Sequence, residues 1–136
     1  MFIWQILACL QALWFDPAVE KLNLVAQFTS SIAFFFYGSS CLRSQRMIFE
    51  FERYRLAKYR TITGVLQILG SVGLIAGFFN PWFSLVASLG LSIQMFLGVI
   101  VRFRIRDSLI QASPALLFCG LNLFIFWHSL HVLKLI

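Results

Sequence analysis

The sequence predicts an all-α membrane protein, a four-transmembrane-helix bundle preceded by an N-terminal interfacial helix. Three observations carry that reading. Residues 61–82, 82–101 and 108–133 hold no charged side chain over 22, 20 and 26 positions, histidine counted as neutral, and a helix needs about 20 mostly apolar residues to cross the hydrocarbon core. Hydrophobic residues make up 60% of the chain and charged residues 12%, a balance that would coat a water-soluble fold with apolar surface and suits a lipid-facing one. The net charge of +6 is confined to loops between apolar segments, which argues against a nucleic-acid partner and for anionic lipid headgroups.

Residues 1–15 are apolar but too short to span comfortably, and they lack the basic start and small-residue cleavage site of a secretory signal peptide. They are expected to form an interfacial helix. Asp16-Pro17 followed by Glu20 is a helix start, with an Asp cap, proline in the first turn and an acid near the positive dipole end. It leads into a first span at residues 22–42. The loop at 43–60 mixes Met47, Ile48, Phe51, Tyr54, Leu56 and Tyr59 with Arg43, Arg46, Arg53, Arg55, Lys58 and Arg60. This pattern suits a short helix lying at the cytoplasmic headgroups, with Glu50–Arg53 and Glu52–Arg55 as i,i+3 pairs. The six basic residues are its headgroup contacts, each contributing on the order of 1 kcal/mol. A second span at 61–79 ends in the tight turn Asn80-Pro81, which makes the third span, 82–101, its antiparallel neighbour. Ser113-Pro114 opens a fourth span at 113–133 in the same way. Four spans use most of residues 1–136, which read as a single transmembrane domain.

Charge sets the orientation. The loop at 43–60 carries six basic residues against Glu50 and Glu52, and Arg102, Arg104 and Arg106 stand against Asp107, while the charges elsewhere cancel. By the positive-inside rule both loops are cytoplasmic and both termini lie outside. Trp14, Trp82 and Trp127 then fall together as an outer aromatic belt.

Plotted at 100° per residue, the second and third spans each divide into two faces. Gly64, Gln67, Gly70, Ser71, Gly73 and Gly77 share one side of the second span, and Ser84, Ala87, Ser88, Gly90, Gln94, Gly98 and Arg102 one side of the third. Small residues let helices approach and polar ones need partners away from lipid, so these faces point inward. Val65, Ile68, Leu69 and Val72, like Leu85, Val86, Leu89 and Ile93, point to lipid. Gly73–Gly77 is a GxxxG pair read as packing within the bundle. Gln27, Gln67, Gln94 and Asn122 are expected to converge there with Arg102 nearby, as structural glue or as the lining of a pocket. Gln67 and Gln94 each lie 13 residues from the Asn80-Pro81 hinge, about 20 Å deep along their helices.

Catalytic motifs are lacking. Cys9, Cys41 and Cys119 contain no CxxC pair and read as reduced packing residues. His128 and His131 share a helical face but too few ligands accompany them for a metal site, so they read as interfacial. Five acidic residues and no phosphate-binding loop leave hydrolysis and phosphoryl transfer without a constellation.

The run Phe49-Glu50-Phe51-Glu52-Arg53-Tyr54-Arg55-Leu56, then Tyr59-Arg60, Gly64-Val65-Leu66-Gln67 and Gly70-Ser71-Val72-Gly73-Leu74, resembles the DoxX-like membrane family. Gly98-Val99-Ile100-Val101-Arg102-Phe103-Arg104-Ile105-Arg106-Asp107, with Ser113-Pro114-Ala115-Leu116-Leu117 after it, is similar to that family's second block. Together they cover roughly residues 36–130. The resemblance implies a compact four-helix membrane bundle. Relatives include a subunit of thiosulfate:quinone oxidoreductase, components of redox-linked membrane complexes and animal proteins that assist receptor assembly. This chain has Cys41 where the family often has lysine, Gln67 in place of an acid, and Arg102 near a usual histidine.

The expected function is therefore that of a small, non-enzymatic, multi-pass accessory protein, in the cytoplasmic membrane if bacterial. Its pocket holds a lipophilic ligand or it assists another integral membrane protein; the alternative is a membrane subunit of a quinone-linked oxidoreductase, with quinone as cofactor. The orientation is tested by single introduced cysteines in a Cys-free background and an impermeant reagent. Labelling from outside is expected at the termini, and labelling of residues 43–60 from outside would overturn the assignment.

Overall fold

The computed structural model describes residues 1–135, the side chain of Trp14 excepted, so the place expected for that side chain in an aromatic belt lies outside the described residues. Six α-helices follow in order: α1 (Phe2–Trp14), α2 (Pro17–Arg43), α3 (Gln45–Arg53), α4 (Arg60–Ala76), α5 (Pro81–Arg104) and α6 (Leu109–Val132), with a short 3-10 turn at Ala57–Tyr59 before α4. α4 with its 3-10 lead-in, α5 and α6 are each long and apolar enough to cross a membrane; a fourth crossing is added if α1 and α2, which meet at 55°, are taken as one bent span. α2 does not lack length. Its 27 residues reach about 40 Å, but Asn23, Gln27, Ser30 and Ser31 lower its average apolarity, and all four are buried against other helices. α1 is exposed from Phe2 to Leu13.

Two helices begin as their residues dictate. The Asp16 carboxylate accepts from the Ala18 N–H at 2.9 Å, and the Asn80 side chain accepts from the Trp82 N–H at 3.1 Å, each with proline at the next position. The fourth long helix departs from the expected start at Ser113-Pro114. α6 opens at Leu109, where Ser108 and Gln111 form a reciprocal capping box, and Pro114 lies inside the helix. Proline removes the donor that the Ile110 carbonyl would have received. The Ser113 hydroxyl supplies it instead, donating to that carbonyl at 2.7 Å, so the helix continues.

Three helices end alike, α6 through Lys134 at φ 53° with the Leu135 N–H returning to the Leu130 carbonyl at 3.0 Å, and the other two through arginine. Arg55 and Arg106 adopt positive φ of 58° and 60°, and the next N–H in each case returns to a carbonyl five residues back, Leu56 to Phe51 and Asp107 to Arg102, both at 2.9 Å. This is the Schellman closure, made here by arginine or lysine where glycine is usual. It folds Asp107 back over the end of α5.

α2, α4, α5 and α6 pack as a ring, α2 between α4 and α6, and α5 between the same two. Phe34, Leu74, Leu91 and Ile125, one from each helix, meet at its centre with Ala26. The inward faces of the sequence analysis hold for Gly64, Gln67, Ser71, Ser84 and Ser88, all buried. Two residues differ. Leu85 is buried and Gly90 is exposed, because α5 touches both α4 and α6 and its inward arc is centred on Ser84, Ser88, Leu91 and Ser92 rather than on its glycines.

α2 and α4 approach closely, backbone against backbone. A Cβ on Gly38 would stand 2.7 Å from the Gly64 carbonyl oxygen, whereas one on Gly120 would meet nothing within 4 Å. Gly38→Ala is therefore expected to destabilise the fold by about 1–3 kcal/mol through overpacking against backbone, and Gly120→Ala to stabilise it by roughly 0.5–1 kcal/mol through helix propensity. Unfolding in mild detergent, followed by circular dichroism, measures both.

Candidate functional site

The site lies on the seam between α4 and α5. Small residues hold the two helices together, with Gly73 against Ala87 and Gly77 against Ser84, so the GxxxG pair packs within one chain. Alongside this seam runs a cleft of about 770 Å³ that extends from Phe83 near the Asn80-Pro81 hinge to Arg102 at the far end of α5. Leu66 and Leu69 of α4 and Val86, Ile93 and Leu97 of α5 form its exposed walls. Its floor reaches Phe34 and Phe118, packed edge to face at 5.5 Å.

Few polar groups face this apolar space, and two of them are only half engaged. The Gln67 side-chain carbonyl receives the Cys41 thiol at 3.8 Å, and the Gln94 amide donates to the Thr63 carbonyl at 3.0 Å. Among the described residues, the Gln67 Nε2 donor and the Gln94 Oε1 acceptor have no hydrogen-bond partner, and both side chains line the cleft. Gln27 and Asn122 stand elsewhere. Gln27 donates to the Leu74 carbonyl at 2.6 Å, while Asn122 accepts from Ser30 at 3.0 Å and donates to the Phe118 carbonyl at 2.8 Å. The four amides thus form no shared network: Gln27 and Gln67 each serve the α2–α4 contact at separate places, Gln94 the α4–α5 contact and Asn122 the α2–α6 contact.

At the Arg102 end the cleft abuts a polar chamber of about 510 Å³, lined by Ser40, Ser44, Arg46, Glu50, Arg53 and others. Tyr54, Arg102, Met47 and Gln111 belong to both walls. Asp107 organises this end: Arg53 donates to its two oxygens at 2.9 and 3.2 Å and Arg102 to one of them at 3.1 Å. Arg53 also donates to Glu50 at 2.8 Å, Tyr54 donates to Glu50 at 2.9 Å, and both guanidinium groups stack on the Tyr54 ring at 5.5 and 5.6 Å. The network joins α3 to the end of α5. Hydrogen bonding from Arg53 holds the Glu50 carboxyl below the usual carboxylate range, with Tyr54 assisting. Burial, together with its bond to Glu50, pushes the Tyr54 hydroxyl up.

The basic residues of the 43–60 loop divide accordingly. Arg53 is held by acids and Arg60 donates to the Cys41 carbonyl. Lys58 lies over the Tyr59 ring at 5.0 Å. Arg43, Arg46 and Arg55 are exposed. The Glu50–Arg53 pair forms as its spacing implies; Glu52–Arg55 does not, because α3 ends at Arg53 and Arg55 turns into the left-handed region. Sequence reasoning did not single out Tyr54 or Asp107, though Asp107 is the one acid of its loop. Cys119 bonds with Ser92. His128, expected at the interface, is buried beside Phe124, and the described residues contain no group of three or more His, Cys, Asp or Glu suited to a metal.

The lowered Glu50 pKa contributes stability that is fully present above the unfolded carboxyl pKa, near 4.3, and is lost as pH falls through the lower folded value. Docking of α3 is expected to loosen over that acid window, read by proteolysis within 43–60. Glu50→Gln is expected to give loosened docking already at neutral pH and to flatten the dependence; an unchanged profile would remove Glu50 as its source.

Residues 25–125 match the model of the DoxX-like family. The chain is also similar to YdgD, an uncharacterised protein of Bacillus subtilis (strain 168), with 30% identity over 93 residues that cover 64% of this chain and 81% of that protein. No solved structure matches it. The family match takes in all of α4 and α5 and most of α2 and α6, and with its long apolar helices the protein is an integral membrane protein that belongs to the DoxX-like family.

Proposed function

We propose that this protein is a multi-pass accessory component of its membrane, and that its cleft holds a lipophilic ligand, alone or in the service of another integral membrane protein. The supporting observation is the pairing of an apolar cleft with an unengaged Gln67 donor and Gln94 acceptor inside it. Ligand sites are mainly apolar with a few placed polar groups. In this reading α2, α4, α5 and α6 are the four spans of one transmembrane domain, α1 lies at the interface, and the basic end faces the cytoplasm. Arg43, Arg46 and Arg55 then meet anionic headgroups.

A second reading, a membrane subunit of a quinone-linked oxidoreductase, draws on the same Gln67 donor, which suits a quinone carbonyl. No catalytic set accompanies it in this chain, so electrons would have to come from a partner.

Native mass spectrometry after mild extraction tests both. A lipophilic species is expected to remain bound to the protein and to be lost in Gln67→Leu. Stability should change by less than about 1 kcal/mol, since interhelical side-chain hydrogen bonds in membranes average ~0.6 kcal/mol. A co-purifying quinol would favour the second reading. An empty protein, with Gln67→Leu silent in every assay, would reduce both glutamines to packing.

A further inference from the structure

We propose that the occupant of the cleft is a polyprenyl phosphate, its single isoprenoid chain laid along the α4–α5 seam and its phosphate seated where Arg102 and Arg46 face the polar chamber. The inference rests on the reading that the cleft holds a lipophilic ligand, and goes further by naming the chemistry of head and chain.

Length argues for the chain. From Phe83 to Arg102 the cleft follows 19 residue steps of α5, about 28 Å, nearly the whole 30 Å hydrocarbon core. The acyl chains of a bilayer lipid need reach only the midplane, about half that depth. A chain that fills the cleft from the Arg102 end must run past the midplane, as polyprenyl chains do. The cleft follows one helix seam, which accommodates one chain rather than a pair.

Charge argues for the head. The end of the cleft opens toward the chamber, and alongside Met47 and Pro114 the two spaces share the polar groups of Tyr54, Arg102 and Gln111. Arg46 lines that chamber and makes no ion pair among the described residues. Asp107 takes only Nη1 of Arg102, which leaves the rest of that guanidinium fork to donate. Arg46, Arg53 and Arg102 stand against Glu50 and Asp107, so one positive charge is uncompensated. A phosphate monoester brings about −1.5 to −2 charges and three acceptor oxygens, and guanidinium forks match phosphate geometry. A sterol or a quinone would leave this end unmatched.

The full chain in lipid nanodiscs is titrated with polyprenyl phosphate, with the uncharged polyprenol, with phosphatidic acid and with menaquinone, and read by native mass spectrometry. Polyprenyl phosphate is expected to bind more tightly than phosphatidic acid, which has the same phosphate head but paired chains that the single seam does not take, and at least about tenfold more tightly than polyprenol and menaquinone, as befits one or two charged hydrogen bonds. Arg46→Ala, an exposed position outside the ion-pair network, is expected to erase most of that preference while the melting profile stays put. A Cβ on Gly98 meets nothing within 4 Å, so Gly98→Phe is expected to fold and to obstruct binding of both polyprenyl compounds. Equal binding of polyprenol, or a preference for menaquinone or phosphatidic acid, would overturn the assignment and leave the lipophilic-ligand reading standing. Retention of the preference in Arg46→Ala together with Arg102→Lys would overturn the placement of the head. No binding of any of the four would overturn this inference and that reading together.

Discussion

Polar groups surrounded by hydrocarbon must find partners inside the protein, because lipid provides none. Every seam of the four-helix ring carries its own polar clasp in consequence. Ser31 and Ser71 join α2 to α4, the Ser71 hydroxyl donating to the Ser31 carbonyl at 2.7 Å and the Ser31 hydroxyl to the Ser71 carbonyl at 3.2 Å. Ser30 and Asn122 join α2 to α6, Ser92 and Cys119 join α5 to α6, and Gln94 with the Thr63 carbonyl joins α4 to α5. Such bonds average about 0.6 kcal/mol each, so their value lies less in energy than in register. A helix rotated out of place would turn these groups toward lipid.

Close packing depends on the same economy of side chains. The polar clasps reach across only where the backbones approach, and Gly38, Gly64, Gly73 and Gly77 permit that approach. Where a helix bond is lost, at Pro114, a neighbouring serine restores it. The few groups that escape these rules are informative for that reason. Among the described residues, Asn23 Oδ1 and Ser84 Oγ are buried without partners outside the cleft lining, while the Gln67 donor and the Gln94 acceptor border the cleft without partners, so part of the incomplete satisfaction lies where space is available to a ligand.

The basic end is built differently, since water and headgroups are within reach. There the left-handed arginine at 106 returns Asp107 to Arg102, and Arg53 from a separate helix closes on the same carboxylate. Asp107 is nearly enclosed by its partners, its side chain 5% exposed against 45% for Arg53. The cluster fixes α3 beside the mouth of the cleft and gives that mouth a polar wall.

The sequence by itself determined what depends on local chemistry and on averages along the chain. The uncharged runs placed the long helices, Asp16-Pro17 and Asn80-Pro81 marked two of their starts, and the spacing of Glu50 and Arg53 set one ion pair. The small-residue face showed which side of α4 meets other helices, and on α5 Ser84 and Ser88 marked that side while Gly90 did not. Only the tertiary structure decided which polar atoms pair with which, because a helical wheel gives the direction of a side chain and not what stands opposite it. Gln27, Gln67, Gln94 and Asn122 share an inward tendency yet meet four different partners at four places. α6 began before its proline because a hydroxyl one residue away made up the missing donor. Glu52 lost its expected partner when the chain turned left-handed at Arg55, and the cleft itself exists only because two helices joined by a hinge pack on different neighbours, α4 on α2 and α5 on α6.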